Sequence, residues 1–202
     1  MKSNPHFAPH LSLSHLSLSH LSLPRLKREN TLLLIVDLQE RLMPALYNAA
    51  EVERNCVLLA RAAAQMEIPV VITEQNPARL GSTLSSLMEI VPENQPISKV
   101  RFSACVPSTL EAIEAGGRKT ILICGVESHV CVLQTALDLR QAEYSVFAAR
   151  DAIASRTMEN AQIGWDRMMR AGVLPTSTES AIFELLEEAG TADFKALLPF
   201  LK

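Results

Sequence analysis

The stretch TLLLIVD, Thr31 to Asp37, is an uninterrupted apolar run that ends in a carboxylate. A strand with one wet face alternates apolar and polar residues. A run without polar positions therefore marks a strand covered on both faces, as in a parallel sheet flanked by helices. Similar runs recur along the chain. IPVVIT (Ile68–Thr73) reads as a second strand, PISKV (Pro96–Val100) as a short third, KTILICG (Lys119–Gly125) as a fourth and YSVFAA (Tyr144–Ala149) as a fifth. VLPTST (Val173–Thr178) gives a sixth, where Pro175 points to an edge position or a short strand. Helical patterns lie between them. Glu51–Met66 spaces Val52, Cys56, Leu59, Ala63 and Met66 near the i, i+4, i+7 rhythm of an amphipathic helix. Pro107–Ala115 has a proline suited to its first turn and Gly116-Gly117 at its end. His129–Gln141, Thr157–Ala171, Ser180–Ala189 and Ala192–Leu201 complete the helices. Alternating strands and helices imply right-handed crossovers. The expectation is an α/β domain over residues 31–202: a three-layer α/β/α fold with a six-stranded, mainly parallel, doubly wound sheet. In such sheets ligands bind at the carboxyl ends of the strands.

Residues 1–30 have a different character. HLSLSHLSLSHLSLP repeats five residues three times between His10 and Pro24. Five residues advance a helix by roughly 500°, so the leucines form no stripe. Five is also odd, so the strand period of two breaks in every repeat. The reading is a low-complexity arm, without fixed structure or docked on a partner, with Pro24–Asn30 as its linker. It makes a poor signal peptide, because Ser and His interrupt every apolar run. His10, His15 and His20 are its candidate metal ligands.

The totals exclude several classes of function. Net charge is −3 and aromatic residues make up 4% of the 202-residue chain, which argues against a nucleic-acid surface or a base-stacking platform. No apolar stretch approaches the ~20 residues that span a bilayer. Cys56, Cys105, Cys124 and Cys131 form no CxxC pair, and they read as free thiols in a reducing cytoplasm. No GxGxxG follows a strand, and no GxSxG elbow is present.

Three groups collect at the expected strand ends. Asp37 closes the first strand, Lys99 sits at the third, and Cys131 follows the fourth at the first turn of a helix. Helix N-termini carry unpaired N–H groups and roughly half a positive charge. A thiol there is expected to lose its proton more easily, further helped by the Lys99 ammonium, and the thiolate is the nucleophile. Asp37 is then placed to act as general base and acid. N–H groups near Cys131 are candidates for holding an oxyanion. Each residue has an ordinary use as well: packing for Cys131, capping for Asp37, a solvated strand end for Lys99. His129 lies two residues from Cys131, roughly 200° around a helix, so it is a poor base for that sulfur.

The motifs LLLIVDLQERLMP, ISKVRFSAC and CGVESHVCVLQTALDL, in that order, resemble the isochorismatase-like cysteine hydrolase family, and most closely its isochorismatase domain-containing branch. The likeness runs from Thr31 to about Ala189. It implies a triad of Asp37, Lys99 and Cys131, and a non-proline cis peptide at Val126–Glu127. Together with Val130, that peptide would turn N–H groups toward a substrate oxygen. It also implies a homo-oligomer, dimer or larger. In nicotinamidases of this superfamily an aspartate-x-histidine-proline stretch after the second strand holds a metal. Here TEQNP (Thr73–Pro77) places Glu74 and Asn76 at those positions, and no histidine occurs between His20 and His129. Zinc usually wants imidazole or thiolate ligands, so neither metal nor cofactor is expected. Glu74, Gln75 and Phe102 are candidate pocket residues instead, and Cys105 is a weaker one.

The function that follows is a cysteine-nucleophile hydrolase of a small amide or related carbonyl substrate, without nucleic acid or membrane as partner. A vinyl ether like that of isochorismate is a second bond type. The competing reading is a redox-responsive or ligand-binding protein that keeps the fold without hydrolysis.

Overall fold

The computed structural model describes residues 24–201. The repeats and their histidines therefore lie outside the described residues, apart from Pro24. Six strands form one parallel sheet: β1 (Thr31–Val36), β2 (Val70–Gln75), β3 (Ile97–Lys99), β4 (Thr120–Val126), β5 (Ser145–Ala154) and β6 (Leu174–Thr176). Their order is β3-β2-β1-β4-β5-β6. The chain winds outward from β1 to one edge, crosses back, and winds to the other edge through β4. The order reverses between β1 and β4, and the crevice at that point is where doubly wound sheets bind ligands.

All six residues of β1 are buried, as a strand covered on both faces must be. Leu33 and Ile35 enter one core, and Leu32, Leu34 and Val36 enter the other. The first core lies under α1 (Ala49–Gln65), α7 (Thr178–Leu186) and α8 (Ala192–Leu197). The second lies under α4 (Pro107–Ala115), α5 (Leu133–Gln141) and α6 (Met158–Arg170). Two one-turn helices, α2 (Pro77–Leu80) and α3 (Ser85–Met88), fill the β2–β3 connection. They are too short to leave a periodic pattern in the sequence.

Several boundaries moved for identifiable reasons. β5 runs to Ala154, beyond Ala149, because its pairing with β4 shifts register between Ile123 and Gly125. α7 starts at Thr178, inside the expected sixth strand, because the Ser177 side chain caps it by accepting from Ser180 N. β6 is an edge strand of three residues, the environment Pro175 suggested. The helix expected from His129 begins instead as a π-helical turn, Ser128–Val132, before α5.

Glycine is required at two points beside the switch. Gly125 has φ +110°, and an added Cβ would lie 2.1 Å from the carbonyl oxygen of its partner Val36. On Gly164 of α6, a Cβ would stand 2.6 Å from the carbonyl carbon and oxygen of Ser128. These glycines let β1 approach β4 and let α6 approach the π turn.

Candidate active site

Asp37, Lys99 and Cys131 occupy the carboxyl rim of the sheet. Asp37 follows β1 in the left-handed region, φ 55°, and its N–H donates to Thr73 O at 3.1 Å. Its carboxylate is completely buried. Oδ2 lies 2.7 Å from the Lys99 ammonium, and Oδ1 accepts from the Thr73 hydroxyl at 2.8 Å. Lys99 Nζ also donates to Gln75 Oε1 at 2.8 Å, Phe102 O at 3.1 Å and Arg101 O at 3.3 Å. The last two bonds are possible because residues 100–103 curl back over the end of β3. Both charged side chains have zero exposure. A buried ion pair survives only with such partners, since desolvation costs several kcal/mol per ion.

Cys131 sits in the π turn and retains 5% exposure. The Asp37 carboxylate lies close enough to the thiol for its charge to act on the sulfur. The sulfur's acidity differs from the sequence expectation. Burial pushes the thiol up from 9.0 to about 12; the Asp37 charge adds to this, and the Lys99 charge opposes it only in part. The helix-start argument fails because Lys99 is already neutralised by Asp37 and because desolvation favours the neutral thiol. At rest the sulfur is protonated, with the Asp37 carboxylate near it.

The supports come from elements far apart in sequence. Gln39 accepts from Gln75 N at 2.8 Å and donates to Gln75 O at 3.2 Å, which fixes the residue that holds Lys99. Thr135 Oγ1 donates to Cys131 O at 2.6 Å and accepts from Ala104 N at 2.8 Å. Ser103 Oγ donates to Asp138 Oδ2 at 2.6 Å. The loop carrying the Lys99 contacts is thus fastened to the helix behind Cys131. Ser128 Oγ donates to Ala161 O at 2.9 Å, tying the π turn to α6. Thr73, Gln39, Thr135 and Gly164 were not singled out from the sequence, because buried hydroxyls, amides and a lone helix glycine carry no local signature.

The remaining candidates fall into different roles. The Val126–Glu127 peptide is cis. The Val130 N–H, an expected oxyanion donor, is occupied: it donates to Glu127 O at 3.0 Å, because the π turn closes on that carbonyl. Glu74 is also occupied, accepting from Thr83 N at 2.6 Å and Thr83 Oγ1 at 2.7 Å, so it pins the loop after α2. Gln75 gives its side chain to Lys99 and, through Nε2, to Val100 O at 2.8 Å. Phe102 is 54% exposed, and its carbonyl accepts from Lys99. His129 turns its Nδ1 to Ser155 Oγ at 2.9 Å. Cys105 packs against Thr135 O, and Cys56 and Cys124 are buried. A cavity of about 560 Å³ lies between α1, α7 and the C-terminal turn, and none of Asp37, Lys99 or Cys131 lines it.

Comparison with known proteins gives a consistent picture. The isochorismatase domain matches residues 31–180. The chain is 36% identical over 183 residues to a secreted isochorismatase effector of Phytophthora sojae, covering 88% of this chain and 87% of that one. It is 32% identical over 179 residues to isochorismatase family protein 1B of Dictyostelium discoideum, covering 86% and 87%. A solved structure described as a ribonuclease from Caenorhabditis elegans superposes with TM-score 0.84 at 30% identity, covering 88% of this chain and 92% of that one.

Proposed function

The chain belongs to the isochorismatase family and is a hydrolase, and on that premise we propose that it cleaves a small amide or related carbonyl substrate through Cys131, Asp37 and Lys99. The observation that carries this reading is the Asp37–Lys99 pair, 2.7 Å apart and fully withdrawn from water, close enough for the Asp37 charge to act on the Cys131 thiol. Cys131 Sγ attacks the carbonyl carbon while its proton passes to Asp37. Asp37 returns that proton to the leaving nitrogen as the C–N bond breaks, leaving a thioester. Water, deprotonated by Asp37, then adds to the thioester and releases the acid and the thiol. Lys99 keeps Asp37 oriented and offsets its charge throughout. A protonated thiol beside a base suits this sequence, because the proton leaves as the S–C bond forms.

The same acidity weakens the redox alternative, since peroxide reacts with thiolate and little exists at neutral pH. A nucleic-acid substrate fits poorly with a chain of net charge −3. Among the described residues no helix is long and apolar enough to cross a membrane. We assign the protein to the cytoplasm, where its free thiols stay reduced, and we take it to be a homo-oligomer. The test is hydrolysis across small amides and ureides by wild type, Cys131→Ala and Cys131→Ser. Both variants should lose at least about a thousandfold in kcat/KM. A variant of wild-type activity removes the cysteine mechanism.

A further inference from the structure

Glu127 opens the turn that carries Cys131, four residues ahead of the sulfur, and the mechanism above gives its side chain no task. Its carboxylate is 11% exposed. Oε2 accepts from Arg156 Nε at 3.0 Å and from Arg156 N at 3.2 Å, so the segment after β5 grips one oxygen through two donors. Oε1 has no hydrogen-bond partner among the described residues and is not sealed off from solvent-accessible space. The Arg156 side chain is 58% exposed, so water screens much of its charge. The Asp37–Lys99 pair is neutral as a unit, and Lys99 and Thr73 each already donate to one oxygen of its carboxylate. Glu127 therefore supplies an only partly compensated negative charge, and an acceptor without a partner among the described residues, at the start of the turn that carries Cys131, and its charge reaches the thiol.

We propose that Glu127 is a specificity-determining residue: clamped by Arg156 at one oxygen, it offers the other to an N–H of the bound substrate and repels carboxylates. The substrate class is then a neutral or cationic amide or ureide with N–H donors beside the scissile carbonyl. Isochorismate-like dicarboxylates are disfavoured. This rests on the site assignment made above, but the test does not require turnover.

Cys131 is alkylated in parallel with iodoacetamide and iodoacetate, neutral and anionic reagents that both lose iodide to the same thiolate. Peptide mapping separates Cys131 from the other three cysteines. The ratio of the two rates cancels the thiolate fraction, which a change in acidity would alter. In wild type the iodoacetamide-to-iodoacetate ratio at Cys131 should exceed that of a free thiol by about tenfold, the size of a like charge acting within a few ångströms at partial screening. Glu127→Gln should bring it to within about twofold of the free thiol, whereas Arg156→Gln should raise it above wild type. A purely structural role would move both variants in the same direction. A Glu127→Gln ratio equal to wild type, or parallel shifts in both variants, overturns the proposal. If Glu127→Gln does not fold, the direction of the Arg156→Gln shift decides alone. Loss of hydrolysis-based support would leave this result standing, so the two readings fail separately.

Discussion

Gly164→Ala concentrates the packing argument in one methyl group. On a free helix the change is favourable by about 1 kcal/mol, since alanine is the better helix former. Here the new Cβ would meet the carbonyl carbon and oxygen of Ser128 at 2.6 Å and His129 Cα at 2.7 Å. Ordinary contact begins near 3.4 Å, so α6 and the π turn must part by roughly 1 Å. The obstructing atoms are backbone, so no side-chain rotation relieves them. Overpacking costs about 1–3 kcal/mol, and losing the 2.9 Å Ser128–Ala161 bond adds about 1 kcal/mol. The clash outweighs the propensity gain, and the expected net loss is about 1–3 kcal/mol, read as a lower urea midpoint at unchanged m-value. Displacement of the turn should also lower amide turnover by up to about a hundredfold, the cost of a misplacement of about 1 Å. A Gly164→Ala protein as stable as wild type, with unchanged turnover, would refute the view that α6 sets the position of the nucleophile.

Other perturbations act on charge. Lys99→Met leaves Asp37 buried and unpaired and should cost about 3–5 kcal/mol by urea unfolding, while Asp37→Asn combined with Lys99→Met should recover most of it; equal losses in single and double variants would contradict a coupled pair. Cys131 should react slowly with iodoacetamide: moving its pKa from 9.0 to about 12 cuts the thiolate at pH 8 roughly a thousandfold, of which greater nucleophilicity restores part, leaving it about thirtyfold slower than a free thiol. A raised folded-state pKa also means stability that is complete below 9.0 and lost as pH climbs toward about 12, so denaturation midpoints should fall across that window in wild type and fall less in Cys131→Ala.

The architecture was legible because its signals are local and repeated. Thr31–Val36 and Thr120–Val126 are short apolar runs of the kind that suits central strands, and Pro107 and Gly116 punctuate a helix in the expected way. Asp37, Lys99 and Cys131 were candidates because strand ends are where parallel sheets place chemistry, and the family resemblance singled them out. What escaped was anything set by neighbours distant in sequence. The acidity of Cys131 was misjudged because the helix-start effect can be seen in sequence, while burial and the prior pairing of Lys99 with Asp37 cannot. By position Val130 suits an oxyanion donor and Glu74 a pocket wall, but their hydrogen bonds go to Glu127 and Thr83. The one-turn helices and the register shift in β5 are dictated by loop closure and by Gly125, below the resolution of any periodic pattern.

The most direct measurement is mass spectrometry of the enzyme quenched in acid while it turns over a small amide. A mass increase equal to the acyl group, mapped to Cys131 and absent from Cys131→Ser, is the expected result. Turnover by the wild type without any such adduct, together with full activity in Cys131→Ser, would contradict the account.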